Sequence, residues 1–564
     1  MKEHMVITIM ANVGFSAPYT AYIVWVQYLP LYFNQAWAGK FSYQILVALS
    51  TNFIGYGLAG LTRRFLVYPA RAIWPSNLAT IALNRAFHSE TNIPANGWRV
   101  SRMKWFTHCF VAMFIYFWFP NYLVAAMSYF NWTTWIAPDN VHLAAITGTY
   151  GGLGLNPFPT WDWNQCTVAG DPLINPFYSI FNSFLGTLLT FPIIIAIWYT
   201  NTWNTAYIPI NSNGVYDNTG ARYHVSNAIN ERGLFDETTY KAYSPAYLSA
   251  ANAFNYGMFF AIYTSTITHT YLYNRREIVA GFKNLIKGKS AFADSKDVHT
   301  RLMRSYKEVP EYVYFGVLAI AIGLGAAGVG AYPTNTSPAV VLYGVFLAMI
   351  FCIPCGVIMS ITNVEISLNV VAELFGGLWF PGNATAMNYF KSYGYVTTSH
   401  TLHFAQDLKL AHYIHIPPWV TFNCQMVATF VSTFVCTAIL NYQMTIQDVC
   451  TPNQKDRFTC PGTNTFFTAS VLWGTLGPRK MYGPGAIYNG LLWCFLIGAV
   501  LPIPFYFLRM RFRFLRYFHV PVFLTGGIIW APYNLSHAWA GVPLAFFFNY
   551  YVRRRFLAWW SKYN

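Results

Sequence analysis

The sequence predicts an all-α polytopic membrane protein, a helical bundle with discontinuous or re-entrant members, and three observations predict it. Pro310–Tyr332, Ala339–Thr362, Pro417–Leu440 and Pro484–Leu508 are apolar stretches long enough to cross a bilayer. Of 564 residues, 55% are hydrophobic, 19% aromatic and 10% charged, against about 25% charged in an ordinary soluble domain. The basic residues gather beside the apolar stretches rather than along one exposed face. Nine Lys or Arg lie between Tyr273 and Glu311, four more at Arg509, Arg511, Arg513 and Arg516, and three at Arg553–Arg555.

That placement decides between two readings of the formal charge of +16. Basic runs abutting apolar spans act as cytosolic anchors, so nucleic acid is excluded as a partner and membrane lipid is expected. Twenty Trp, 41 Tyr and 47 Phe exceed what a core requires, and many stand near helix ends, where their rings suit the headgroup layer. The chain opens without a charged region, apolar run and cleavage site in signal-peptide order, so internal helices are expected to direct insertion.

From the start of the chain, Met5–Tyr28 reads as one helix broken near Pro18. Tyr43–Leu61 returns to Arg63 and Arg64. Phe65–Phe87, interrupted by Pro69 and Pro75, is too short for a helical hairpin and reads as re-entrant or discontinuous. Trp105–Met127 leads outward. A further crossing is then needed before Arg275, and Asn131–Phe158, with Gly148, Gly151, Gly152 and Gly154, is predicted to make it as a broken span. Pro176–Tyr199 and Ser249–Tyr271 are spans on either side of an external loop, 200–251, and 274–309 is a basic cytosolic loop.

Positive-inside placement then sends Pro310–Tyr332 out and Ala339–Thr362 back, and keeps Lys391 and Lys409 inside. It sends Pro417–Leu440 out, leaves 441–475 outside, and returns Pro484–Leu508 to the arginines. The external segment holds Cys450 and Cys460, expected to pair in an oxidising exterior. Glu365–Phe380, which runs into Pro381 and Gly382, and His519–Tyr551, broken by Gly526, Gly527, Pro532 and Gly541, read as further re-entrant or discontinuous helices. Such breaks are tolerated where protein or a water-filled cavity covers the freed backbone, and they recur at transport sites. The sequence forms a single membrane domain over 1–564.

Ionisable groups at membrane depth face partners or a pathway. Glu365 and Glu373 share an apolar segment with Asn369 four residues from each, which predicts that all three line one helical face. Glu3 and His4 stand at the mouth of the first helix. These four, Glu373 first, are the proton-coupling candidates. Asn369, Tyr389, Lys391, Tyr393, Asp407, Lys409, His415, Asn423 and Gln425 are candidates for substrate contact or gating. Lysine and aspartate near an opening suit the two ends of a zwitterion; the amides suit a peptide backbone.

Several chemistries are set aside. Cys352 and Cys355 have CxxC spacing but sit in mid-helix without a second pair. His400 with His403 and His412 with His415 have ligand spacing without companions, so no metal site is expected. The glycines from Gly323 to Gly330 lack a phosphate-loop ending and read as packing positions. No nucleophile–base pair emerges, so the chain is not expected to be an enzyme, and no cofactor is expected. Asn131, Asn383 and Asn534 occupy N-x-S/T patterns too close to membrane elements for glycosylation.

Ordered blocks carry a resemblance. Lys2-Glu3-His4 matches the end of one signature, and His415-Ile416-Pro417-Pro418-Trp419 with Phe422 and Gln425 matches another. Leu368–Glu373, Pro381-Gly382, Lys391–Gly394, Asp407–Tyr413, Phe458–Pro461, Trp473-Gly474, Gly477–Arg479 and Arg553–Phe556 with Trp559-Trp560 continue in order. The chain resembles the oligopeptide transporter family, in its peptide-transporting branch of fungi and plants. The resemblance implies proton-coupled uptake of short oligopeptides, glutathione among them, with protons as the coupling ion and the plasma membrane, or an internal one, as the site. A metal-chelate carrier, a channel, and a shortened, non-transporting membrane binding protein are the alternatives. The first signature is cut off before Lys2, so the chain is expected to be incomplete at both ends. His415 and Trp419 stand where the second signature has Lys and Arg, which removes two anion contacts.

Overall fold

A computed structural model describes residues 1–15, 19–88, 92–224, 227, 237–289 and 297–564. Apolar helical periodicity carries into structure almost throughout. The strands among the described residues are the two-residue pair Val215–Tyr216 and Tyr247–Leu248, antiparallel with Val215 opposite Leu248. Helices α1 (Lys2–Phe15) and α2 (Tyr19–Tyr28) flank the expected break; Pro18 itself lies outside the described residues.

Six helices among the described residues are long and apolar enough to cross a membrane. The first is α3 (Phe41–Leu66). After α4 (Pro75–Phe87) and α5 (Arg102–Trp118) comes α6 (Phe177–Tyr199). Helix α7 (Ala250–Ile286) follows, with 37 residues. At 1.5 Å per residue it is about 55 Å long, so it carries the predicted span past Tyr271 and out through Arg275 and Arg276. Then come α8 (Glu311–Gly330) and α9 (Ala339–Thr362), followed by the shorter α10 (Asn369–Trp379), α11 (Ala384–Lys391) and α12 (Thr397–Ile414). Helices α13 (Pro418–Met444) and α15 (Asn489–Arg511) complete the six, with α14 (Pro461–Ala469) between them. Helices α16 (Val520–Ile528) and α17 (Leu535–Ala545) form the last hairpin.

The two ends of the bundle differ in chemistry. At the basic end, Arg63 meets Glu308, Arg71 meets Glu277, and Lys2 Nζ donates to the His415 carbonyl. At the opposite end stand the Cys450–Cys460 disulfide, the Asn441–Gln44 hydrogen bond and the Asn383 amide on the Asn335 carbonyl. The expected cysteine pairing therefore forms.

Helix α3 is the axis. It packs against α8, α12, α13 and α9, and small residues permit the approach. A Cβ on Gly55 would come within 2.5 Å of the His400 Cβ, and one on Gly60 would enter the Tyr314 ring. Of the glycines read as packing positions in α8, Gly325 meets Tyr393 and Gly328 meets Leu46 and Val47, whereas Gly323 faces open space.

Four placements differ from the sequence reading. Phe65–Phe87 is discontinuous, broken between Leu66 and Pro75, but does not re-enter: α4 lies across the basic end, with Asn77 on the Gln406 carbonyl and His88 on His4. Its Leu78, Leu83 and Phe87 remain exposed. The predicted broken crossing at 131–158 contains one α-helix, Val141–Thr147, of seven residues, about 10 Å and too short to span. The passage begins inside the predicted segment and continues past it, from Gly152 to Asn175 beside α17. Gly152 O accepts from Asn534 Nδ2 at 3.1 Å, Pro157 O from Trp539 Nε1 at 3.0 Å and Asn175 O from Asn549 Nδ2 at 2.9 Å. These side chains satisfy an irregular backbone that lipid would not. The fully buried Asn534 caps α17 in doing so.

The third difference concerns Glu365. Helix α9 ends at Asn363 with φ 59°, and the backbone from 363 to 368 is not helical before α10 begins. The Tyr263 hydroxyl holds this break, donating to Ser367 O at 3.1 Å and accepting from Val371 N at 3.2 Å. Glu365 and Glu373 therefore do not share a helix. The fourth is the depth of Lys391. Because Asn383 reaches the disulfide end and His415 the basic end, α11 and α12 form a full pass, and Lys391 is an interior group rather than a cytosolic anchor. Within 441–475, the segment from Phe466 onward packs into the bundle, with Ser470, Val471 and Trp473 buried, so the exposed part ends at Thr465.

Candidate functional site

The pass from α10 through α12 places two opposite charges in the interior. Asn383 caps α11 by accepting from Ala386 N at 3.0 Å, and a wide π turn at Ser392–Val396 joins α11 to α12. Such a turn shifts the helical register and recurs at functional sites. Lys391 is the last residue before it. Its Nζ donates to Glu373 Oε1 at 2.5 Å, with side-chain exposures of 4% and 2%. The ammonium also lies 4.8 Å from the centre of the Phe466 ring. Tyr256, Tyr263 and Tyr482 stand within electrostatic reach of the carboxylate. Desolvation makes such a pair expensive, and removing one partner strands the other.

A hydroxyl network forms at Tyr389 and Tyr393, two residues either side of Lys391. Tyr389 accepts from Gln27 Nε2 at 3.2 Å and hydrogen-bonds the Tyr43 hydroxyl, which donates to Gln27 Oε1 at 2.7 Å. Tyr393 shares a hydrogen bond of 2.8 Å with Ser50. These contacts tie α11 and the π turn to α2 and α3.

A second ionisable group lies closer to the basic end. Glu365 accepts from Ser399 Oγ at 2.8 Å and faces His403 Nε2 at 3.5 Å. Its side chain is 32% exposed and that of His403 41%, against 2% for Glu373. From Lys391 to His403 is twelve residues, about 18 Å along the helix. Asn369, the first residue of α10, is part-exposed between them.

The other candidates separate. Asp407 is buried and accepts from Asn12 Nδ2 at 3.0 Å and Gln425 Nε2 at 3.5 Å. Lys409 turns elsewhere, donating to Val67 O at 2.6 Å; the two do not form one zwitterion site. His415 meets His299 across 3.1 Å at the basic rim. Glu3 and His4 are exposed there, with His4 on His88, and Asn423 is exposed on α13. No group of three or more His, Cys, Asp or Glu suited to a metal occurs among the described residues.

Sequence reasoning missed Gln27, Tyr43, Ser50 and Ser399, and it weighed His403 only as a metal ligand. Gln27 and Ser50 carried a signal, as polar groups inside apolar helices; the tyrosines carried none among 41. Also missed was the closure of the basic end. Arg63, 4% exposed, bonds Glu308 at 3.2 Å and also meets Glu311, with its guanidinium 4.8 Å from the Tyr314 ring.

The whole chain, residues 1–564, matches a family model described as "OPT oligopeptide transporter protein". It is 36% identical over 587 residues to "Oligopeptide transporter 2" of Saccharomyces cerevisiae, covering 100% of this chain and 65% of that protein. It is 37% identical to "Sexual differentiation process protein isp4" of Schizosaccharomyces pombe, covering all of this chain and 71% of the relative. "Glutathione transporter 1" of the same yeast is 35% identical, with 100% of this chain and 67% of the relative covered. The chain thus spans about two thirds of the length of these curated relatives.

Proposed function

The chain belongs to the OPT oligopeptide transporter family, and on that premise we propose that it carries short peptides across a membrane together with protons. The observation that carries this reading is the buried Glu373–Lys391 pair beside two helix breaks. A free peptide ends in an ammonium and a carboxylate. Lys391 suits the carboxylate, and Glu373 competes for it. A proton on Glu373 would release Lys391 for substrate, which links protonation to binding at one site.

The part-exposed Glu365 and His403 supply a second proton station toward the basic end. Proton release there is favoured by the higher pH of the cytosol. The membrane potential contributes about 2.3 kcal/mol per elementary charge per 100 mV to inward movement of positive charge. Glutathione belongs in the substrate class, since one of the relatives is named for it. Residence in the plasma membrane is the corresponding proposal for location.

The test is uptake of a radiolabelled short-peptide panel, glutathione included, into vesicles containing this chain, with and without an inward proton gradient. Gradient-dependent accumulation of at least one peptide is expected, with Glu373→Gln losing the response to the gradient. Gradient-independent uptake, or no uptake by folded protein, overturns the proposal.

A further inference from the structure

A cavity of about 280 Å³ opens at the basic end between α7, α9 and α15, remote from Glu373. Arg71, Arg509, Arg516, His269, Tyr273 and His519 line it. Its size falls just under the roughly 300–1,000 Å³ of sites for drug-sized ligands, so it suits a headgroup rather than a whole peptide. The lining is rich in cations and donors. Arg71 is neutralised by Glu277 at 3.2 Å, whereas Arg509 and Arg516 have no carboxylate partner among the described residues. Arg509 is instead held by aromatic faces, 3.9 Å from the centre of the Tyr273 ring and 4.7 Å from that of Tyr506.

The polar atoms behind the arginines are unmatched. His269 is 2% exposed, yet its Nδ1 has no hydrogen-bond partner, nor do the Tyr273 hydroxyl and His519 Nδ1. Buried donors and acceptors left unmet are costly. Three such atoms around one cavity with unpaired guanidinium groups point to an anionic, oxygen-rich occupant.

The flanking surface identifies its source. Arg509, Arg511, Arg513 and Arg516 are interleaved with the exposed side chains of Met510, Phe512, Phe514 and Tyr517. Alternating guanidinium and apolar groups suit the boundary between headgroups and acyl chains, and basic pockets between spanning helices suit anionic lipid headgroups. We propose that this cavity binds the phosphate of an anionic phospholipid in the leaflet facing the basic end. Arg509 and Arg516 would pair with the phosphate oxygens, and His269 and Tyr273 would complete their hydrogen bonds.

The test measures thermal stabilisation of the purified full chain in neutral detergent against rising concentrations of three probes. These are dioctanoyl phosphatidylserine, dioctanoyl phosphatidylcholine and inorganic phosphate. Saturable stabilisation by phosphatidylserine is expected, with binding at least tenfold weaker in the Arg509→Gln, Arg516→Gln double variant. The loss should be less than threefold in Arg511→Gln, Arg513→Gln, which removes the same charge from the flanking surface outside the cavity. Should the first double variant fail to fold, Arg516→Gln alone, at an exposed position, is expected to weaken binding about threefold. Equal stabilisation by phosphatidylcholine overturns the anionic specificity. An equal effect of inorganic phosphate assigns the site to a free anion and overturns the lipid, and equal losses in the two double variants overturn the site itself.

Discussion

Replacing Lys391 by Met removes the salt-bridge partner of a carboxylate that is 2% exposed. Stranding one member of a buried pair costs about 3–5 kcal/mol, and the Phe466 ring beneath the ammonium loses its cation as well. Glu373→Gln also strands a buried charge, the Lys391 ammonium, but leaves it the amide oxygen as acceptor, so its cost is expected to fall below that of Lys391→Met. In the double variant Glu373→Gln, Lys391→Met no charge is stranded. Its loss is therefore expected to be no larger than that of Lys391→Met alone, far from additive. The assay is a double-mutant cycle on thermal unfolding in detergent, followed by fluorescence-detected size exclusion. A double variant whose loss equals the sum of the singles refutes the reasoning, as does a Lys391→Met protein as stable as the parent.

Three further outcomes follow from particular contacts. Gly60→Val drives a side chain into the Tyr314 ring between α3 and α8 and is expected to cost about 1–3 kcal/mol. Gly323→Ala, in open space, should not lower the melting temperature, since alanine also favours the helix. Pro381→Cys should react with an impermeant maleimide from the same side as Asn453→Cys and the opposite side to Lys307→Cys; labelling from the Lys307 side would rule out the full pass made by α11 and α12. Burial, then His299 and Lys2, hold the His415 imidazole below its ordinary value of 6.5. The folded rim thus favours the neutral ring, and its stability is intact above that value and declines as pH falls through it toward the folded pKa. Hydrogen exchange in 411–416, corrected for intrinsic rates, should therefore accelerate between pH 7.5 and 5.5. The same acceleration in His415→Asn would remove His415 as its cause.

Much of the architecture was legible because it is local. A run such as Ala339–Thr362 must satisfy its own peptide groups in lipid, and only a helix does so within one segment; its predicted and observed bounds coincide. The Cys450–Cys460 pairing needed only proximity across ten residues. The ordered family blocks, likewise, are properties of the chain alone. What failed was every inference that required knowing a neighbour. Glu365 and Glu373 have helical spacing, but the Tyr263 hydroxyl from α7 holds Ser367 and Val371 and keeps 363–368 from coiling. The crossing assigned to 131–158 runs instead from Gly152 to Asn175, because Asn534, Trp539 and Asn549 meet an irregular backbone there. The positive-inside rule put Lys391 with the cytosolic anchors, since it counts charges without their partners. Glu373, eighteen residues earlier and on another helix, makes an interior lysine tenable. Sequence thus determined which long apolar stretches form helices of spanning length and to which family the chain belongs. Tertiary structure decided where helices break and which charges meet, because both depend on groups distant in sequence that supply hydrogen bonds the bilayer cannot.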